Sequence, residues 1–125
     1  KEEYYINGKR HRLDGPAVIW YFENGSIELK EYYINGKRHR EDRPADIIYY
    51  QNGNISEEIY FQNDQEHREN GPAIIRYHKN GSIDTQKYYL NGKEISKEQL
   101  KEIGIEPHNY PFTKSDMTKF KLTFG

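Results

Sequence analysis

Cysteine is absent from this chain of 125 residues. That excludes disulfides, cysteine nucleophiles and thiolate metal sites together, and it fits a reducing compartment. Apolar residues are also scarce, at 34% of the chain, and no run of them approaches the roughly 20 residues that a membrane-spanning helix needs. The amino-terminal KEEYYINGK lacks the apolar core of a signal peptide. Lys1 falls part-way through a repeat, which also accommodates a trimmed leader. The expectation is a soluble, cytoplasmic protein without a transmembrane segment. An excess of one charge is missing too. With 19 basic and 20 acidic residues the net charge is −1, so the whole chain does not attract nucleic acid or anionic lipid, and any such binding must be local.

What is plentiful is tyrosine. A chain this charged and this poor in apolar residues reads as disordered when the apolar residues are small. Here there are 12 Tyr, 5 Phe and 1 Trp. Aromatic and β-branched side chains suit a pleated, half-buried surface, so extended β structure is expected. The length fits one domain with a modest core.

The chain repeats itself. NGKRHRLDGPA, at 7–17, returns as NGKRHREDRPA at 35–45 and as NDQEHRENGPA at 63–73. Asn7-Gly8, Asn35-Gly36, Asn63-Asp64 and Asn91-Gly92 stand 28 residues apart, and a second series, Asn24-Gly25, Asn52-Gly53 and Asn80-Gly81, keeps the same step. Asn-Gly favours the type I′ hairpin turn because both central residues need positive φ, so both series are expected to be hairpins of that kind. Extended segments such as PAVIWYF and SIELKEYYI lie between them. The predicted fold is all-β: an elongated single antiparallel meander of repeated hairpins over residues 1–94. Residues 95–125 are expected to form a short capping helix and a tail.

Alignment of the copies separates two faces. Ala17, Ile19 and Tyr21 recur as Ala45, Ile47 and Tyr49 and as Ala73, Ile75 and Tyr77, at a period of two that puts them on one face, expected to be packed. The interleaved positions vary, and Trp20, Phe22, Ile48, Tyr50, Ile74 and His78 are expected on the more exposed face. A contiguous apolar patch there would bind a partner protein, unless the carboxyl-terminal tail folds over it. On the return strand the pairs Tyr32-Tyr33, Tyr60-Phe61 and Tyr88-Tyr89 put an aromatic ladder on each face.

After residue 94 the register breaks, and Ile95-Ser96 stands where the repeat predicts His-Arg. Ser96-Lys97-Glu98-Gln99 is a capping-box signature, with Leu100, Ile103 and Gly104 completing a short helix expected to cover the open end of the sheet. The tail ends in TKFKLTF, whose Phe120, Leu122 and Phe124 alternate as in a strand. This basic, aromatic segment is also a candidate for docking a partner or for anchoring at a lipid interface.

Tyr-x-Asn-Gly hairpins with paired tyrosines, repeated head to tail from about Tyr4 to Lys93, resemble MORN repeats. They are most similar to the longer MORN-variant repeats of bacterial toxin–antitoxin-associated proteins and of large DNA viruses and phages. The unit here is longer than the usual one and carries the His-Arg segment where that unit has a glycine-rich turn. The resemblance implies an elongated meander that scaffolds protein assemblies or dimerises, and in some members phospholipid binding.

The His-Arg segment admits two readings. His11-Arg12, His39-Arg40 and His67-Arg68 would stack along the meander about 10 Å apart, at two strand widths per repeat. Such a ladder could engage nucleic acid or a phospholipid headgroup. In the structural reading, the acid or amide after each pair (Asp14, Glu41-Asp42, Glu69-Asn70) satisfies turn amides and pairs with the arginine, while proline opens the next strand. A metal site at His11/Asp14 or His39/Asp42 is disfavoured, because neighbouring copies lie too far apart to share an ion. Catalysis is disfavoured as well. There is no unique base beside Ser26 or Ser82, and an enzyme would need His108 or Asp116 against a repeat residue in a cleft. The sequence therefore predicts a non-enzymatic interaction module without cofactor, a scaffold or a neutraliser of antitoxin, immunity or viral host-directed type. Its partner would be another protein or a second copy of itself. Anionic-ligand binding along the His-Arg ladder is the alternative.

Overall fold

The protein is described here by a computed structural model covering residues 1–107 and 112–125. The expected antiparallel meander forms. Eight strands lie side by side, all antiparallel, in the order β1 (Glu2–Glu3), β4 (Val18–Tyr21), β5 (Ile27–Glu31), β8 (Asp46–Tyr49), β9 (Ile55–Ile59), β12 (Ile74–Tyr77), β13 (Ile83–Leu90) and β14 (Lys93–Ile95). Each repeat also contributes a small hairpin at the base of the sheet. These are β2 (Tyr5–Ile6) with β3 (Lys9–Arg10), β6 (Tyr33–Ile34) with β7 (Lys37–Arg38), and β10 (Phe61–Gln62) with β11 (Gln65–Glu66). The hairpins stack on one another through backbone bonds. Gly36 N–H donates to Arg10 O at 2.9 Å, Asp64 N–H to Arg38 O at 3.0 Å and Gly92 N–H to Glu66 O at 2.9 Å.

The two Asn-Gly series make different turns. At the base both central residues have positive φ, 51° and 76° at Asn7-Gly8 and 50° and 80° at Asn91-Gly92, as a type I′ turn requires. At the tips only the glycine does, with φ 86° at Gly25 and 91° at Gly53 and Gly81. There Gly25 N–H donates to Phe22 O at 3.0 Å, Phe22 N–H donates to Ser26 O at 2.8 Å, and the register slips between Trp20 and Tyr21. This is a three-residue loop with a glycine bulge, so the expected type I′ geometry is corrected for the tips. The asparagine acts through its side chain instead, Asn24 Oδ1 accepting from Ser26 N at 2.9 Å and Ser26 Oγ at 2.6 Å.

Burial does not divide the sheet into a packed and an exposed face as the alternation suggested. It falls along each strand. Val18 and Ile19 are buried while Trp20 and Tyr21 are exposed, and the same gradient runs down β8 and β12. The small hairpins explain it, because Tyr33 packs with Ala17 and Val18 and covers the varied face near the base.

The carboxyl-terminal end is closed by two helices. α1 (Lys97–Glu102) starts at Ser96 with the expected capping box, Ser96 Oγ accepting from Gln99 N at 3.1 Å and Gln99 Oε1 from Ser96 N at 2.9 Å. The tail corrects the expected strand: Lys114–Phe124 is a second helix, α2, capped by Thr113 and Asp116 in a further capping box. Phe120 is fully buried and Leu122 is exposed, as a helical turn rather than a strand would place them. Together the helices build the main apolar core over β13 and β14, in which Tyr88, Leu90, Ile95, Leu100, Ile105, Phe112 and Phe120 are buried.

Candidate functional site: the histidine-arginine loops

Each ladder arginine turns back into its own loop. Arg12 Nε donates to Asp14 Oδ1 at 3.1 Å and its Nη1 to Pro16 O at 3.3 Å. Arg40 Nη1 donates to Pro44 O at 3.1 Å, and Arg68 reaches both Asn70 Oδ1 at 2.9 Å and Pro72 O at 3.1 Å. Each guanidinium also lies over the tyrosine eight residues earlier, 4.0 Å from the ring centre at Tyr4, 3.8 Å at Tyr32 and 4.0 Å at Tyr60. Such a stack contributes about 0.5–2 kcal/mol according to its desolvation. There is a second cation-aromatic series, with Arg10 and Arg38 5.5 and 5.6 Å from the centre of the Tyr33 ring and Arg38 also 5.6 Å from that of Phe61.

The histidines join neighbouring repeats. Nδ1 of His11, His39 and His67 accepts the backbone N–H of Asn35, Asn63 and Asn91 at 2.9, 3.2 and 2.9 Å. Only an unprotonated Nδ1 can accept, so these bonds require the neutral ring with its proton on Nε2. In that tautomer Nε2 of His39 donates to Glu41 Oε1 at 2.7 Å.

The fourth rung shows what replaces an arginine. Ser96 occupies the ladder position beside Tyr88, and the ring of Phe112 stacks there instead, 5.7 Å between centroids and 3° from parallel. Burial holds the Tyr88 hydroxyl at a pKa of about 12, and that hydroxyl has no hydrogen-bond partner among the described residues. Phe112 N–H donates to Asn70 O at 2.9 Å, fixing the tail to the third loop.

Successive loops enclose grooves. The one between the first and second loops holds about 600 Å³ and is lined by Leu13, Asp14, Tyr32, Ile34, His39 and Glu41, among others. Its counterpart between the second and third loops, lined by Asp42, Tyr60, Gln62, His67 and Glu69, holds about 90 Å³. Met117 of α2 lines this smaller groove, and Lys121 Nζ lies 3.4 Å from Glu69 Oε2.

A buried ionic cluster sits under the second hairpin. Asp46 replaces the Val18 and Ile74 of its sister repeats and faces Glu31 across the β5–β8 pairing. Arg38 bridges them, with Nη2 2.9 Å from Glu31 Oε2 and Nε 3.3 Å from Asp46 Oδ2. Burial pushes the Asp46 carboxyl up to about 7 against the pull of Arg38, and Glu31 and Glu57 push the same way.

The apolar candidates do not form one surface. Ile74 is buried, Phe22, Ile48 and Tyr50 are half-buried, and Trp20 and His78 are exposed. Tyr50 and Phe22 line a groove at the strand tips with Tyr49 and Lys79, and the Tyr50 hydroxyl donates to Tyr77 O at 2.6 Å. The Lys1 ammonium lies 4.2 Å over the Trp20 ring. Asp116 serves the cap of α2, and His108 lies outside the described residues. No cluster of three or more His, Asp or Glu side chains suited to a metal occurs among the described residues. No described helix is long and apolar enough to cross a membrane. Leu13 and Ile34 carry no signal of a site in the sequence, and Glu41 reads there only as a turn acid, since only the register between repeats brings the three together. Compared with family models, with curated proteins and with solved structures, the chain matches none.

Proposed function

We propose that this chain is a non-enzymatic protein-interaction module, a MORN-like repeat that holds a partner protein on its amino-terminal half. One observation carries the reading: among the described residues, six of the eight exposed large hydrophobic side chains, Tyr4, Tyr5, Ile6, Leu13, Trp20 and Tyr21, fall within the first 21 residues, the other two being Ile83 and Leu122. Apolar surface concentrated in this way is typical of an interaction site. A scaffold or a neutraliser of antitoxin, immunity or viral host-directed type uses such a surface without chemistry or a cofactor, and the absence of cysteine suits cytoplasmic work. A homodimer through the same half is one form the module can take.

Anionic-ligand binding along the ladder has less support. The guanidiniums of Arg12, Arg40 and Arg68 already donate to loop oxygens and cover tyrosine rings, so a phosphate would have to displace native partners. The two readings separate in one experiment. Immobilised wild-type chain and a Leu13→Asp/Trp20→Ala double variant are incubated with native lysate and, separately, with single-stranded DNA at rising salt. The proposal expects a protein retained by the wild type and lost from the folded variant, with DNA unbound near physiological salt. Salt-sensitive DNA retention that disappears in an Arg12→Gln/Arg40→Gln variant, with no protein retained, would reverse the order of the two readings.

A further inference from the structure

The two grooves are the same feature, one repeat apart. Asp14, Tyr32, His39 and Glu41 in the first correspond to Asp42, Tyr60, His67 and Glu69 in the second. The second is occupied by the chain's own α2, with Met117 at the groove and Lys121, one turn further along the same side of the helix, reaching Glu69. The first has the same acid in the same place, Glu41, well exposed and next to His39 Nε2. It differs in ways that make it more apolar: Ile34 stands where the second groove has Gln62, and Leu13, 82% exposed, stands where the second loop has Glu41.

From this correspondence we infer that the groove between the first and second loops receives an α-helix of the partner protein. That helix presents an apolar side chain to Leu13 and Ile34 and, four residues on, a lysine or arginine to Glu41. The intramolecular seat of α2 supplies the template for a helix side chain at the groove with a lysine on the acid, while the apolar lining by Leu13 and Ile34 belongs to the first groove alone. The first groove has no helix of the chain in it and holds about 600 Å³, whereas about 90 Å³ is left in the second beside Met117, so the first has room for an incoming side chain. This rests on the interaction-module reading and names the partner element that one part of its surface takes.

The probe is a synthetic peptide of residues 112–125, held helical by a lactam between Lys114 and an aspartate replacing Thr118, both on the exposed side of α2. Preforming the helix removes the cost of folding so short a segment. The peptide is titrated into isotopically labelled full-length chain and followed by amide chemical shifts. The expected result is saturable shifts at Leu13, Gly15, Ile34 and Glu41. Leu13→Asp in the chain abolishes them, Glu41→Lys weakens binding about tenfold, and a peptide carrying Lys121→Glu restores binding to the Glu41→Lys chain. Three results overturn the inference: no shifts at millimolar peptide, shifts confined to Glu69, Asn70 and α2 as the peptide exchanges with its own copy, or equal binding to the Leu13→Asp chain. The lysate experiment tests the wider reading separately. A partner that is retained while the peptide fails removes the groove and leaves the module standing.

Discussion

The first and the last rungs of this sheet are built from the same unit and are covered differently. On the first rung Tyr4 lies under Arg12 and stays 37% exposed. At the carboxyl-terminal end Tyr88 is covered by Phe112 and is 1% exposed. The repeat therefore does not carry a complete core of its own. It carries a ring and a flat cation that can shield the ring from water on one side. Only the helices supply enough apolar surface to seal it, as terminal caps do in repeat proteins generally. The middle rungs, Tyr32 and Tyr60, lie between these extremes.

The comparison breaks first at the seal. Phe120→Ala, at a side chain with no exposure that contacts both Phe112 and Phe124, should cost about 3–5 kcal/mol in urea unfolding. Tyr4→Ala, on the most exposed rung, should cost about 1 kcal/mol. The next effect is in the ladder. Arg68→Met, where the guanidinium is buried, should cost about 2–3 kcal/mol, and Arg12→Met only about 1 kcal/mol because its partner Asp14 is solvated. Equal costs would show that burial along the stack does not set the worth of each rung.

The ionic cluster gives a pH signature confined to the middle of the stack. Asp46 has a folded value of about 7, above the ordinary value near 4 that it regains on unfolding. Folding then takes up a proton in that interval. The contribution is complete below about pH 4 and is lost as pH rises through about 7. Urea midpoints of the wild type should fall across this window, whereas Asp46→Val, which restores the side chain of the first repeat, should remove that slope. A slope that persists in the variant would assign it elsewhere. A smaller effect, about 1 kcal/mol, is expected for His39→Ala, which deletes one bond between repeats. Trp20→Ala should change stability least, by about 0.5 kcal/mol, so loss of the partner by this single variant, run beside the double variant in the capture experiment, would report binding rather than unfolding.

Much of the fold is legible from spacing alone, because a type I′ turn, a capping box and a period of 28 residues are local signals. The tips were misread because Asn-Gly serves two turn geometries, and the bulge that distinguishes them depends on pairing between Trp20, Tyr21 and Ile27. The tail was misread because Phe120, Leu122 and Phe124 alternate, although Thr113 and Asp116 carry the same start signal that identified α1. In the loops, the pairing of arginine with the following Asp or Asn was legible for Arg12 and Arg68. The stacking on a tyrosine eight residues back and the reach of each histidine to the next turn were not. Those contacts depend on how one hairpin seats on another, which no single copy of the repeat encodes.

The bond from imidazole to turn amide joins His11 to Asn35, His39 to Asn63 and His67 to Asn91. No such link asks the chain to close a loop longer than one unit. The search for the native state is therefore short-ranged, and the sheet can grow unit by unit rather than wait for distant strands to meet. The rung sealed by the helices is the natural nucleus, with the repeats of Tyr60, Tyr32 and Tyr4 adding in turn and shed in the reverse order. Amide hydrogen exchange should be slowest around Tyr88 and quicken stepwise through Tyr60 and Tyr32 to Tyr4. The molecule would thus fold with a direction that its repeated sequence does not display.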